Sequence, residues 1–360
     1  MTGWTAAVQV PPELSAVEPP EARGLARDQV RLLVARPDRP LRHARFHELP
    51  SALLPGDLVV VNTSDTEPAA VDGVRDDGRP VTVHVSGPAA DGAGWVVELR
   101  TAGGERVHDA VVGDRVALPL GVTVRLLAGH PDPGVSAGGR LWLADLDRAG
   151  DPRTYLRAVG RPIRYSYLRG RWGIEHYRTV FAEPDGGFGS AEMPSAGRPF
   201  TPAVLAGLAA RGVGLARITL HTGVSSLEAG ETPLPERYTV PRSTADAVSR
   251  AMAAGRRVVA VGTTVTRALE TAADAAGRVR AGSGWTELVL GPGRPARVVN
   301  GLVTGWHEPQ ASHLLLLEAV AGQALVDRAY AAAVDRGYRW HEFGDSCLLL
   351  PDPGPIRRAV

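Results

Sequence analysis

The stretch VVAVGTTVTRALET, residues 258–271, joins an apolar run to a helical pattern through a single glycine. Val258–Val261 reads as a strand buried on both faces, as in a parallel sheet. Ala268, Leu269, Ala272 and Ala273 read as the apolar side of a helix. Gly262 falls where a Cβ would clash, and Thr263 or Thr264 is the expected helix N-cap. A helix that opens at the carboxyl end of a parallel strand offers free N–H groups to a ligand. Many such turns bind nothing, so the rest of the chain has to decide.

Outward from this stretch, helices and strands alternate. TPAVLAGLAARGV (201–213) reads as a helix with Thr201 as N-cap and Pro202 in its first turn, LARITLHTG (215–223) as a strand, and RSTADAVSRAMAAGR (242–256) as a second capped helix. ELVLGPG (287–293) and ARVVNGLVTG (296–305) are expected as two strands. SHLLLLEAVAGQALVDRAYAAAVDRG (312–337) is one or two helices, and DSCLLL (345–350) a last strand. On the amino-terminal side, Leu58–Val61 is a buried strand reached through a Pro-Gly-Asp turn. Residues 71–150 differ: short runs of alternating or β-branched residues, among them PVTVHVSG, GWVVELR and GVTVRLLAG, are separated by Gly, Asp and Pro. The expected architecture is therefore a mixed α/β (α+β) main domain, residues 1–70 plus 151–360, either an open sheet or barrel-like, with an antiparallel β-barrel-like domain inserted at 71–150.

Bulk properties exclude several classes. With 40 Lys and Arg against 39 Asp and Glu, net charge does not announce a nucleic-acid binder. The basic run from Arg157 to Arg171 reads, on its own, as a solvated surface. The single Cys347 rules out an internal disulfide and a multi-cysteine metal site, and fits a reducing, cytoplasmic location. The first residues have neither the basic start nor the apolar stretch of a signal peptide, and no run is long enough to span a membrane. There is no Gly-x-x-x-x-Gly-Lys-Ser/Thr loop, no Gly-x-Gly-x-x-Gly opening a helix after a strand, no Gly-x-Ser-x-Gly elbow, and no His-x-x-x-His or Cys-x-x-Cys metal spacing.

What remains is a set of polar residues at strand ends: His221 after RITL, Thr263 and Thr264 after VVAV, His307 after GLVTGW, and Asp345 before SCLLL. Each has a bland reading. His221 could be a loop histidine, Asp345 a Gly-Asp turn, and Arg267/Glu270 a helix-surface ion pair worth tenths of a kcal/mol, roughly. Four strand ends carrying donors or acids are harder to dismiss together, because such ends converge on one crevice of a sheet or barrel.

These residues also carry a likeness. LPGDLVVVN (54–62), EHYRTVFAEPDG (175–186), PSAGRPFT (194–201), TLHTG (219–223), VVAVGTTVTRALE (258–270), GWTELVLGPG (284–293), LVTGWHEPQASHLLLLEAVAG (302–322) and YRWHEFGDSCLL (338–349) appear in order. Taken together they resemble the S-adenosylmethionine:tRNA ribosyltransferase-isomerase family of queuosine biosynthesis, nearly end to end. The resemblance implies S-adenosylmethionine as a ribosyl donor, with no metal, and an acceptor amine on 7-aminomethyl-7-deazaguanine in tRNA. Adenine and methionine leave. That chemistry asks for a base at the C5′ proton beside the sulfonium, an acid at the adenine nitrogen, and donors for the methionine carboxylate. By match to the family's motifs, Gly262, Thr263, Thr264, Arg267, Glu270 and Thr304 are expected to hold the donor. His307, Asp345, His221 and Glu236 are expected to serve proton transfer and positioning. A monomer or weak homo-oligomer is expected.

Departures concentrate in the motifs. The family's Asn-Asp-Thr-Arg-Val-Ile-Pro-Ala-Arg stands here as Asn62-Thr-Ser-Asp-Thr-Glu-Pro-Ala-Ala70, with both arginines gone and Asp65 in place of one. Two family histidines are Pro199 and Leu234. An aspartate facing phosphate repels it, so Arg198 or the 157–171 arginines would have to supply the lost charge. The alternatives left open are the same donor chemistry on a different amine, and a non-catalytic S-adenosylmethionine- or RNA-binding relative.

Overall fold

The structure, a computed structural model, describes residues 10–148, 150–183, 187–224, 233–308 and 313–351. Fifteen strands are formed among these residues. They are β1 (Arg31–Ala35), β2 (Arg42–Arg45), β3 (Leu58–Asn62), β4 (Ala70–Arg75), β5 (Pro80–Pro88), β6 (Trp95–Thr101), β7 (Arg115–Ala117), β8 (Thr123–His130), β9 (Leu141–Asp147), β10 (Gly214–Leu220), β11 (Glu236–Val240), β12 (Val258–Val261), β13 (Gly282–Thr286), β14 (Gly301–Thr304) and β15 (Ser346–Leu349). The helices are α1 (Leu49–Ala52), α2 (Pro152–Val159), α3 (Pro202–Ala210), α4 (Arg242–Ala253), α5 (Thr263–Thr271), α6 (His313–Ala321) and α7 (Gln323–Asp335).

Nine strands form one sheet in the order β13-β11-β10-β3-β12-β14-β15-β1-β2. Of the two forms left open for the main domain, it is a sheet with two edges. Its centre, β10-β3-β12-β14, is parallel throughout, and β15 then pairs antiparallel to β14. Strands β3, β12 and β14 are buried along their length because both faces are covered, while β10 alternates buried and exposed residues. Val59, Val61, Val259, Val261 and Val303 pack with α1, α3, Phe46 and Phe200 on one side. Val60, Val258, Ala260 and Leu302 pack with α4 to α7 on the other. Residues one apart on a strand thus feed opposite cores, as a two-residue period requires.

The other six strands close into an antiparallel barrel, β4-β5-β6-β9-β8-β7. Alternate residues such as Val81, Val83 and Val85 on β5, facing Val97 and Leu99 on β6, fill its interior with Trp142. Closure removes the exposed edges that so small a sheet would otherwise present. Gly73 on β4 is required by that closure, since a Cβ there would lie 2.5 Å from the Leu118 side chain and 2.8 Å from the Ala117 carbonyl. The barrel abuts the main sheet through Ser86, whose hydroxyl accepts the Val224 N–H at 2.8 Å, and through Phe188, which packs into the barrel core.

Local expectations fail at three places. Thr263 and Thr264 do not cap α5; Gly262 occupies the cap position at φ 92° with no side-chain bond, and the threonines form the first turn. ELVLGPG forms no strand across 287–290: the pairing edge of β11 is taken by Gly282–Thr286 just before it. The helix from Arg242 begins after Pro241 without a side-chain cap, while Thr244 turns away to bond the Arg217 carbonyl of β10. In each case a tertiary partner decides what local preference left open.

Candidate active site

Four parallel strands, β10, β3, β12 and β14, end on the same side of the sheet, and the antiparallel β11 and β15 begin there. A cavity of about 360 Å³ lies at this edge. Its walls include Thr66 beyond β3, Thr222 and Gly223 beyond β10, Gly262–Thr264 beyond β12 and Thr304–Glu308 beyond β14. Glu236 at the start of β11 and His341 and Glu342 ahead of β15 complete it. Asn62 ties two of these ends together: its amide donates to the Leu220 carbonyl at 2.8 Å and its Oδ1 accepts the Leu220 N–H at 3.0 Å.

Of the residues singled out in the sequence, Gly262, Thr263, Thr264, Arg267, Thr304, His307 and Glu236 line this one cavity. Arg267 does not pair with Glu270. Its guanidinium forms a close ion pair with Glu236 and donates to the carbonyls of Leu288 at 3.1 Å and Thr286 at 3.2 Å. Burial pushes the Glu236 carboxyl up to about 7, against the pull of Arg267, and the nearby Glu192 charge adds to the rise. The His307 Nε2 lies 2.9 Å from the Thr304 hydroxyl, and its ring stacks on His313 with centroids 4.7 Å apart. Burial, then the charges of His313 and His341, hold His307 well below the usual histidine range. It is thus a neutral imidazole at pH 7. Burial likewise lowers His313 and His341 to about 4.

Three residues lie elsewhere. Glu270 points away from the cavity, and its carboxylate accepts the N–H groups of Arg297, Val298 and Val299, each at 2.9 Å. Asp345 accepts the N–H of Arg31 at 2.7 Å and of Arg339 at 2.8 Å, which pins the turn before β15 to β1. His221 borders a separate cavity of about 50 Å³ at the barrel junction, with Nδ1 2.9 Å from the Ser64 hydroxyl. Conversely, Tyr165, Tyr167, Tyr177, Glu192, His313, His341 and Glu342 line the main cavity without having been singled out. The available signal was the alternation Tyr165-Ser-Tyr167 inside the arginine run, an aromatic pattern unusual for a purely solvated surface.

The motif departures also find partners. Asp65 is buried and accepts from Arg178 Nε at 2.9 Å and Nη2 at 3.1 Å, so the reversed charge is neutralised. Arg198 does not supply the lost positive charge: it is buried and bound to Glu21 at 2.8 Å and to the His176 carbonyl at 2.8 Å. Arg164 and Arg169, beside the two cavity tyrosines, are exposed.

The chain is similar to known proteins over nearly its whole length. The family model described as queuosine biosynthesis protein matches residues 7–349. The S-adenosylmethionine:tRNA ribosyltransferase-isomerase of Acidiphilium cryptum is 37% identical over 351 residues, covering 94% of this chain and 96% of that protein. The enzyme of the same name from Thermus thermophilus is 35% identical over 361 residues, covering 95% and 97%. Among solved structures, the S-adenosylmethionine tRNA ribosyltransferase of Thermotoga maritima matches with a TM-score of 0.52 at 28% identity, covering 95% of this chain and 99% of that one.

Proposed function

The chain belongs to the queuosine biosynthesis protein family, and from that premise we propose that it is an S-adenosylmethionine:tRNA ribosyltransferase-isomerase working in the cavity at the strand ends. The observation that carries this reading is the gathering of Gly262–Thr264, Arg267, Thr304, His307 and Glu236, distant in sequence, around one cavity.

The first turn of α5 holds the donor. N–H groups of a first helical turn have no intrahelical acceptor and favour an anion, here the methionine carboxylate, while the Thr263 and Thr264 hydroxyls suit the carboxylate or the ribose hydroxyls. His307, kept neutral by burial and placed by Thr304, serves as the base for the acidic C5′ proton. Glu236, with a carboxyl near 7, is the acid for the departing adenine nitrogen. Carboxylates and aromatic faces on the same walls suit a sulfonium cation. The acceptor is 7-aminomethyl-7-deazaguanine in tRNA. Neutralisation of Asp65 by Arg178 supports it, since the reversed charge presents no bare carboxylate to a phosphate chain.

Adenine release from S-adenosylmethionine by the purified protein, with and without tRNA bearing 7-aminomethyl-7-deazaguanine, tests the assignment. Release that depends on this tRNA is expected. Release with small amines in its place would transfer the donor chemistry to another acceptor. Binding of S-adenosylmethionine with no adenine under any condition would make the chain a binding relative. His307→Ala is expected to lower adenine release by about 10²–10⁴-fold, and an unchanged rate would remove it from the mechanism.

A further inference from the structure

A second set of side chains on the cavity walls has no residue-specific role in the donor assignment. Tyr165 and Tyr167 stack with centroids 5.7 Å apart and planes at 12°, and Tyr167 stacks in turn on His341 at 4.1 Å and 18°. The Tyr165 hydroxyl donates to Glu192 and the Tyr167 hydroxyl donates to Glu342 Oε2. The segment that carries His341 and Glu342 is held in a defined shape. His341 takes φ 71°, a region non-glycine residues adopt only where their surroundings impose it, and it accepts the Gly344 N–H at 3.0 Å on its carbonyl. A Cβ at Gly344 would lie 2.4 Å from the Arg339 carbonyl. The Asp345 carboxylate locks the same turn from behind through Arg31 and Arg339.

Within this frame one carboxylate oxygen is unmatched, and the indole Nε1 atoms of Trp306 and Trp340 are unpaired as well among the described residues. Glu342 Oε1 is buried and meets no hydrogen-bond partner among the described residues, although its twin Oε2 is engaged by Tyr167. Buried polar atoms are almost always paired, and an exception in a cavity wall points to a donor brought by a ligand. The Thr222 hydroxyl, on the same cavity, is likewise buried and unpaired among the described residues.

Resting on the reaction proposed above, we propose that Glu342 receives the primary amine of the acceptor and takes a proton from it. An alkylamine of this kind enters as an ammonium, as lysine does with its reference value near ~10.4, and in that form has no electron pair to attack with. In the step, one N–H bond breaks, the proton passes to Glu342 Oε1, and the electron pair stays on nitrogen. The carboxylate becomes a neutral acid and the ammonium a neutral amine. Tyr167 holds Oε2 through the transfer, and its stacking on His341 sets the direction of the carboxyl. The donor's sulfonium has no N–H or O–H to give Oε1, whereas an ammonium brings both the hydrogen and the positive charge that a buried carboxylate oxygen favours. Burial raises Glu342 to about 7, Tyr167, its own amide and Arg198 pull it down, and Glu192 pushes it up; Tyr177 also feels its charge. A carboxyl in that range exchanges protons at neutral pH.

S-adenosylmethionine carries an α-ammonium of its own, and the test separates the two sources. Glu342→Gln keeps the shape and removes the base. Three readouts are taken on it: affinity for tRNA bearing 7-aminomethyl-7-deazaguanine against tRNA with guanine at that position, affinity for S-adenosylmethionine, and the rate and pH profile of adenine release. The wild-type chain is expected to prefer the amine-bearing tRNA. Glu342→Gln should lose that preference, hold S-adenosylmethionine within about twofold, and release adenine about 10²–10³-fold more slowly. It should lack the rising limb expected of the wild type below pH 7, while keeping the falling limb above it that comes from Glu236. Tyr167→Phe, which removes a bond favouring the carboxylate, should keep the amine preference and move the rise to higher pH. A Glu342→Gln protein that keeps both the preference and the rate overturns the proposal. So does one that loses affinity for S-adenosylmethionine and keeps the preference, because the ammonium bound would then be the donor's. If the wild type releases no adenine, the proposed reaction fails on its own account, and the tRNA preference still decides what Glu342 binds.

Discussion

Gly262 stands at φ 92° and ψ 162°, a combination that glycine alone adopts at low cost. Gly262→Ala should therefore cost about 1–3 kcal/mol in a denaturant titration, and it should weaken S-adenosylmethionine binding by displacing the first turn of α5. A folded variant with unchanged affinity would take that turn out of the donor site. Glu342 makes a second prediction at this scale. Its folded value of about 7 lies above the ordinary carboxyl value of 4.5, so the folded chain keeps a proton that the unfolded chain releases. The stabilisation from this group is complete below about pH 4.5 and is lost as pH rises to about 7. Glu342→Gln cannot lose a proton, so relative to wild type it should gain up to about 3 kcal/mol in unfolding free energy between pH 5 and pH 8. A difference that stays flat across that interval would mean the carboxyl is ionised throughout.

Among the elements, two buried carboxylates do structural work at strand and helix ends. Glu270, on α5, gathers three successive N–H groups of residues 297–299, the approach to β14. Hydrogen bonds to a charged group contribute about 1.5–3 kcal/mol each, and Glu270→Gln keeps the shape without the charge, so unfolding free energy should fall by about 3 kcal/mol. Asp345 anchors the turn that presents His341 and Glu342. Asp345→Asn replaces one acceptor oxygen by a donor facing a backbone N–H, so it should lower the rate of adenine release while S-adenosylmethionine affinity holds. An equal loss of both would mean that the turn also supports the donor. Sequence motifs led to Glu270 as a donor-binding residue and Asp345 as a catalytic one, and neither lines the cavity; their anchoring role could not be read there, because their partners are main-chain amides at positions whose identity does not matter.

Across the whole molecule, the sheet supplies the cavity and the 157–171 segment supplies positive charge at its lip. Arg164 and Arg169 are exposed and meet no carboxylate among the described residues, while Arg161 is committed to Asp72. Each phosphate contact contributes about 0.7–0.9 to the slope of log affinity against log salt. The double substitution Arg164→Ala/Arg169→Ala should therefore lower that slope for tRNA by about 1.5, with S-adenosylmethionine affinity unchanged. An unaltered slope would move the RNA contact elsewhere, with the barrel the next surface to test. No helix among the described residues is long and apolar enough to cross a membrane.

Elements whose signal is local could be read along the chain. The fully apolar runs of β3, β12 and β14 could only be strands covered on both faces, the Thr201-Pro202 start could only open a helix, and the alternation through 71–150 called for a small antiparallel barrel. The sequence also marked the Gly-Thr-Thr turn and His307. Which charges meet was set by packing across the sheet. Arg267 chose Glu236, 31 positions away, over Glu270 on its own helix, because the sheet order sets the start of β11 beside α5. The same closure turned Asp65 toward Arg178, withdrew Arg198 into a pair with Glu21, and left Glu342 Oε1 without a partner among the described residues. Backbone preference acts over a few residues and can be read along the chain. Pairing of buried charges depends on distances set by packing across the sheet, and those have no local trace.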